Sequence, residues 1–291
     1  GNPDGGNEVY RIDLTDDSVF QVTDTPSGFC DYLWVSVNDA GDVAFTTTCP
    51  TFNGELFNPE NTAVVAVWSD GVTRATSLGS CYSSSSTLAR ASDKPLVLFA
   101  SECDPVGLNP SENQDQIFLW AYEDDQVPYR QVTRSATYDS LFFFAPAFSN
   151  DGATIAYVTT QDPSTASQTL TPRLVTYDLE TGAHRVIDAF GDDDVTVDFP
   201  RFSPDGTQLF AFAVSQILPP TGIPTQLLSW DLTQANPPRR LRVETQGGID
   251  PIHVTADPIS GELRIYFTSE SDYGGLNPGN AWSFWALRLQ P

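Results

Sequence analysis

Along the chain, short runs of alternating apolar and polar residues are broken at close intervals by polar turns rich in Gly, Asp, Asn and Pro. No segment sustains the three-to-four-residue apolar spacing of an amphipathic helix. VSVNDAGDVAFTTT at 35–48, PAFSNDGATIAYVTT at 146–160, PRFSPDGTQLFAFAV at 200–214 and HVTADPISGELRIYFTS at 253–269 each read as strand, polar turn with glycine, strand. An Asp-Gly pair between alternating apolar residues is a strong hairpin signal, because glycine supplies the positive φ that the turn needs. TLARASDKPLVLFAS at 87–101 has the same shape with Lys-Pro in the turn. Between these lie second hairpins at 9–23, 64–76, 117–133, 174–188 and 227–243, and WSFWALRL at 282–289 stands as a lone final strand.

The turn glycines Gly152, Gly206 and Gly261 follow one another at intervals of 54 and 55 residues, and Gly41 lies two such units before Gly152. A period near 55 residues with two hairpins per unit predicts a β-propeller of four-stranded blades. Five blades are expected, with six as the alternative. A single propeller domain over 1–291 is expected, in which the hairpin at 9–23 and the strands at 251–289 share the closing blade. The opening GNPDGGN copies the loops that precede outer strands elsewhere, as in GLNPGN before Ala281, so the chain reads as starting in mid-blade after removal of an upstream segment. A terminal strand left over in this way is a candidate for donation to a neighbouring subunit.

PRFSPDGTQLFAF, PAFSNDGATIAYV and the paired IFLW and YRQVT resemble the repeats of TolB-like propeller proteins. In that family a Pro-x-aromatic-Ser-Pro-Asp-Gly hairpin gives the two inner strands of a blade, and an Ile-aromatic hairpin ending in Leu/Val-Thr gives the outer two. The resemblance covers nearly the whole chain but is close only in the repeats at 146 and 200; those at 33, 87 and 253 depart at the turn. It implies fold far more than activity, since the family spans periplasmic scaffolds, peptidase propellers and uncharacterised secreted proteins.

Charge narrows the partners. Fourteen basic residues stand against 38 acidic ones, a net charge of −24. Such a field repels phosphate backbones and anionic headgroups, so no nucleic-acid partner and no membrane insertion are expected. Protein partners or copies of the same chain are. The four cysteines form no CxxC motif. The span between Cys30 and Cys49 is centred on the Asp39-Ala40 turn, and that between Cys81 and Cys103 on Ser92 beside the next turn. Each pair therefore falls at the open end of a hairpin, where opposed backbones approach closely enough for a disulfide. Two disulfides, Cys30–Cys49 and Cys81–Cys103, are predicted, and with them a secreted, extracellular or periplasmic location.

Catalytic motifs are missing: there is no phosphate-binding GxxxxGK[ST] loop and no GxSxG elbow. His184 reads as a solvated residue of an outer turn, and His253 as the start of an inner strand. Asp31, Asp139, Asp198 and Asp250 each precede an inner strand and are the carboxylates that a sugar hydrolase would pair across an axial pocket. Among the acidic clusters Asp16-Asp17, Glu123-Asp124-Asp125 and Asp192-Asp193-Asp194, the last is the candidate calcium site, calcium being the one cofactor considered. The tryptophans fall in strands and are expected to pack between blades, whereas Phe142, Phe143 and Phe144 precede a strand and form a candidate interface. Two readings follow. One is a non-enzymatic extracellular scaffold for protein-protein interaction that self-assembles through its terminal strands into a filament or surface structure. The other is a secreted carbohydrate-active hydrolase with axial carboxylates.

Overall fold

The computed structural model describes residues 7–25, 31–52, 55–56, 63–76, 78, 81–90, 96–108, 115–122, 129–133, 145–163, 168–190, 195–215, 225–245, 249–257, 259–269 and 282–289. All regular elements among them are strands. The expected all-β class and the five-bladed β-propeller architecture are those found. The chain divides into two compact units, Gly1–Ala145 and Pro146–Pro291.

The first unit opens with a two-stranded sheet of β1 (Tyr10–Asp13) and β2 (Ser18–Gln21). A four-stranded sheet follows, formed in order by β3 (Tyr32–Val37), β4 (Val43–Thr47), β7 (Val64–Ser69) and β8 (Val72–Ala75). A small hairpin of β5 (Thr51–Phe52) and β6 (Glu55–Leu56), which the repeat pattern does not announce, is inserted between β4 and β7. The next sheet runs β9 (Ser83–Leu88), β10 (Leu96–Ser101), β11 (Gln116–Ala121), β12 (Tyr129–Gln131). Its inner face meets the preceding blade through Val65, Val67, Phe99, Phe118 and Trp120, all buried in one cluster.

The second unit contains the sheet β13 (Ala147–Phe148), β14 (Thr154–Gln161), β15 (Gln168–Asp178), β16 (His184–Ala189). It is followed by β17 (Val195–Phe202), β18 (Gln208–Ser215), β19 (Thr225–Asp231), β20 (Arg240–Thr245). A three-stranded sheet of β21 (Ile249–Ala256), β22 (Leu263–Ser269) and β23 (Ser283–Leu289) ends it. Every pair is antiparallel and connects neighbours in sequence, as a meander requires. Leu174, Leu209, Ala211 and Trp230 are fully buried between facing blades, so Trp120 and Trp230 take the inter-blade packing role expected of them.

Two turns share one hydrogen-bond network. Ser149 Oγ donates to Asp151 Oδ1 at 2.5 Å and accepts from Thr154 N at 2.9 Å, while Gly152 N donates to Ser149 O at 2.9 Å. At the second turn the bonds Ser203 Oγ to Asp205 Oδ1, Gln208 N to Ser203 Oγ and Gly206 N to Ser203 O measure 2.5, 2.9 and 2.9 Å. The glycine is required at both, with φ of 69° and 71° at Gly152 and Gly206. At the first blade Asn38 replaces the serine, its Oδ1 accepting from Asp42 N at 2.9 Å.

Several blades carry, in or just before their first strand, an irregularity that no glycine marks. Trp34, Ala145 and Phe199 all have φ near 50°, at 56°, 48° and 54°, each seven residues before its turn glycine, and Ser85 has φ of 56°. The pairing register shifts at these places in β3, β9 and β17, as it does between Asp250 and His253 in β21. These are β-bulges, which bend the strand and increase its twist. Successive bulges touch: Ser86 Oγ donates to Trp34 O at 3.2 Å and Ser36 Oγ accepts from Leu88 N at 3.0 Å.

The predicted Cys81–Cys103 disulfide is present, with Cα atoms 5.5 Å apart just beyond the Ser83–Ser101 pair that ends the hairpin. Cys49 is buried and likewise disulfide-bonded, and Cys30, its expected partner, lies outside the described residues. Replacing Cys81 and Cys103 together by serine reopens a crosslink spanning 22 residues, and should lower unfolding free energy by about 3 kcal/mol. Chemical denaturation of the double variant against the oxidised wild type measures it; an unchanged midpoint would rule out a stabilising role.

Candidate functional site

The hairpin β1–β2 stands at the edge of the first unit. Val9 and Val22 tie it into the core of β4 and β7, beside Phe45 and Ala66. The Glu8 carboxylate accepts from Thr23 Oγ1, from Thr25 N at 3.0 Å and from Thr25 Oγ1 at 2.6 Å, while Thr23 Oγ1 accepts from Val9 N at 2.8 Å. Arg11 makes the longest reach. Its guanidinium lies over Phe20 at 4.5 Å and Trp68 at 5.1 Å, and Nη1 donates to Gly41 O at 2.8 Å. A side chain at Gly41 would meet that nitrogen at 2.5 Å and push the arginine aside, and it is the φ of 86° that requires glycine at this turn.

With Arg11 turned inward, the alternate positions Tyr10, Ile12 and Leu14 turn outward, and Ile12 pairs with exposed Val19. Leu14 is 87% exposed. In the second unit β23 alternates in the same way, with Phe284 70% exposed beside exposed Trp282. Among the described residues, β23 bonds only to β22, and β1–β2 is a sheet of two. Both present exposed apolar side chains on the last strands of their described sheets.

Of the four axial carboxylates, Asp31 is exposed and Asp198 is largely buried on β17. Asp250 lies on β21, opposite Thr268, and Asp139 is outside the described residues. Asp198 sits at the lip of the Phe199 bulge, and its Oδ1 is buried without a hydrogen-bond partner among the described residues. Burial pushes its carboxyl up to about 6. Arg201, three residues on, is pushed down to about 10 by burial, and its Nη1 donates to Pro200 O at 2.8 Å. Asp115, at the start of the β11 hairpin, is also raised to about 6 by burial and then by neighbouring Glu102.

His184 corrects the sequence expectation. It is the first residue of β16 and half-buried, not a solvated turn residue, because the turn already closes at Gly182. Its Nδ1 lies 2.8 Å from Tyr157 Oη and its ring 4.6 Å from that of Tyr177, with burial lowering its pKa. His253 is exposed within β21, opposite Tyr266. Asp16 caps its own turn by accepting from Ser18 N at 2.9 Å. The clusters Glu123-Asp124-Asp125 and Asp192-Asp193-Asp194 and the run Phe142, Phe143, Phe144 lie outside the described residues. Among the described residues, no group of three or more His, Cys, Asp or Glu is placed to hold a metal.

Sequence reasoning missed a network at the outer side of two neighbouring blades. Asp188 accepts from Trp230 Nε1 at 2.8 Å and forks onto Arg239 through Nε at 2.7 Å and Nη2 at 2.8 Å. Arg239 also lies over the Phe190 ring at 4.2 Å. Only the Pro-Pro-Arg-Arg run hinted at it, because the partners are some fifty residues apart.

No family model matches the chain, and no curated protein sequence matches it. Solved structures do. A puromycin-hydrolyzing peptidase of Mycobacterium tuberculosis superposes with a TM-score of 0.60 at 16% identity, over 89% of this chain and 37% of that one. A putative TolB from Agrobacterium tumefaciens superposes with a TM-score of 0.51 at 13% identity, over 82% of this chain and 74% of that one. The chain thus spans little more than a third of the peptidase's length. At these identities the likeness is one of fold alone, the β-propeller that the repeats announced.

A carboxyl raised in the folded state binds its proton more tightly there than in the unfolded chain. Asp198 therefore contributes stability that is full below about pH 4 and lost as pH rises through about 6. Asp198→Asn should stabilise the protein at pH 7 by an amount on the order of 2 kcal/mol and flatten stability between pH 4 and 7. Asp151 and Asp205 act oppositely. The Ser149 bond lowers Asp151, and at Asp205 the Ser203 and Thr207 bonds outweigh an opposing burial, so their contribution is present above about pH 4 and lost on acidification. Denaturation midpoints across that range test it, and a variant as pH-dependent as wild type would contradict the assignment to Asp198.

Proposed function

We propose that this protein is a non-enzymatic scaffold of an extracellular or periplasmic compartment, and that it associates with copies of itself through its terminal strands. The observation that carries the reading is the pair of apolar edges, the Tyr10-Ile12-Leu14 face of β1–β2 and the Phe284 face of β23. A lone two-stranded hairpin is marginal in water and gains most from a further partner strand. Strand addition supplies it, backbone bonds giving affinity and alternate side chains giving register. The net charge of −24 keeps the remaining surface soluble and leaves these edges as the sticky positions. The Cys81–Cys103 bridge supports an oxidising compartment. The peptidase's hydrolysis is not carried over, since the likeness covers 37% of that protein and is one of fold alone.

Light scattering after size exclusion, over rising concentration, is the test. The wild type should grow beyond a monomer, and Ile12→Lys combined with Phe284→Lys should remain monomeric with an unchanged circular dichroism spectrum. A wild type that stays monomeric at every concentration would remove the self-association.

A further inference from the structure

The outer half of the β17–β20 blade holds a cleft of about 290 Å³ lined by Gln208, Ser229, Asp231 and residues of the edge strand β20. Two arginines of that strand, Arg240 and Arg242, enter it. They do so because the ladder is broken between them: Ser229 opposes Arg240, Leu228 opposes Leu241, and Leu227 opposes Val243, leaving Arg242 as the extra residue of a bulge. A bulge re-aims its side chain. Here Nε of Arg242 is turned onto Ser229 Oγ at 2.7 Å, with Ser229 itself buried.

The cleft's one carboxylate, Asp231, has its pKa lowered first by the Thr233 hydroxyl and also by the charge of Arg240, but it forms no ion pair with either arginine. Both oxygens of Asp231 are engaged by their own turn: Oδ1 accepts from Thr233 N at 3.1 Å and Thr233 Oγ1 at 2.5 Å, and Oδ2 accepts from Gln234 Nε2 at 2.8 Å. Neither arginine forms an ion pair with a described residue, and Arg240 forms no side-chain hydrogen bond with one. Burial, and then the charge of Arg240, depress the pKa of Arg242, as expected of a partly buried guanidinium beside a like charge. Arg185 and Arg239, also in this unit, differ, since Arg239 is forked onto Asp188 and Arg185 is bonded to the carbonyls of Leu232, Gln234 and Ala235. A guanidinium with free N–H donors matches the oxygens of a carboxylate or phosphate geometrically.

We propose that this cleft is a binding site for a small oxyanion, a carboxylate or phosphate group, held between the guanidinium groups of Arg240 and Arg242, with the Gln208 amide as an additional polar contact. The protein's charge of −24 does not forbid it. At physiological salt, exposed charges are screened over about 8 Å, so the nearby arginine pair governs the field inside the cleft. The site is independent of the terminal strands and of the scaffold reading.

Isothermal titration calorimetry with inorganic phosphate and, separately, with citrate tests it, using chloride at matched ionic strength as the control. Phosphate binding without citrate assigns the site to phosphate groups; the reverse assigns it to carboxylates. Arg240→Ala, at an exposed position that does not disturb the Ser229 bond, should weaken binding about tenfold or more. Arg242→Gln should do the same and, because it also removes the Ser229 bond, lower the melting temperature, while Arg239→Gln should leave affinity as it is. Equal affinity in wild type and Arg240→Ala, or no heat beyond that of chloride with either probe, would overturn the proposal.

Discussion

Everything in this molecule depends on a tight polar turn that fixes the register of the two inner strands of a blade. At Ser149 and Ser203 a single hydroxyl donates to an aspartate two residues ahead and accepts a backbone N–H five residues ahead. The aspartate in turn caps the following amide, Ala153 N at 3.0 Å or Thr207 N at 3.1 Å. Such bonds contribute only about 1 kcal/mol each in net stability. Their larger effect is on register. A slip of one residue would carry buried Ile155, Tyr157, Leu209 and Ala211 to the wrong face of their sheets.

Register set at the turn propagates outward. It brings the bulges at Trp34 and Phe199 to the same place in their blades, and the bulges give these inner strands extra bend and twist. It also decides which residues of the blade become chemically exposed. Asp198 is buried because it lies at the lip of such a bulge, and Arg242 points into its cleft because a second bulge displaces it from the β20 ladder. Irregularities superimposed on a regular repeat thus place the ionisable groups.

The repeat was legible because its turns are written in a code with few synonyms: Ser-Pro-Asp-Gly and Ser-Asn-Asp-Gly specify glycine's φ and the aspartate cap together. The Cys81–Cys103 bridge was legible for a related reason, since its cysteines flank a hairpin, β9–β10, symmetrically. The bulges were not, because the residues at positive φ are Trp34, Ser85, Ala145 and Phe199, whose side chains give no sign of it. His184 was misplaced because a polar run after Thr-Gly looks like a longer turn, whereas packing against Tyr157 and Tyr177 draws it into the strand. The arginine cleft and the Asp188 network join residues brought together only by sheet pairing, and single-sequence patterns carry no such information.

The amides of Thr154 and Gln208, which donate to the serine hydroxyls, report on the turn directly. Native-state hydrogen exchange should find both protected, and Ser149→Ala and Ser203→Ala should each release protection at its own hairpin first and along the paired strand next. Exchange at these amides that is unchanged by removal of the hydroxyl would contradict the claim that the turn network holds the blades in register.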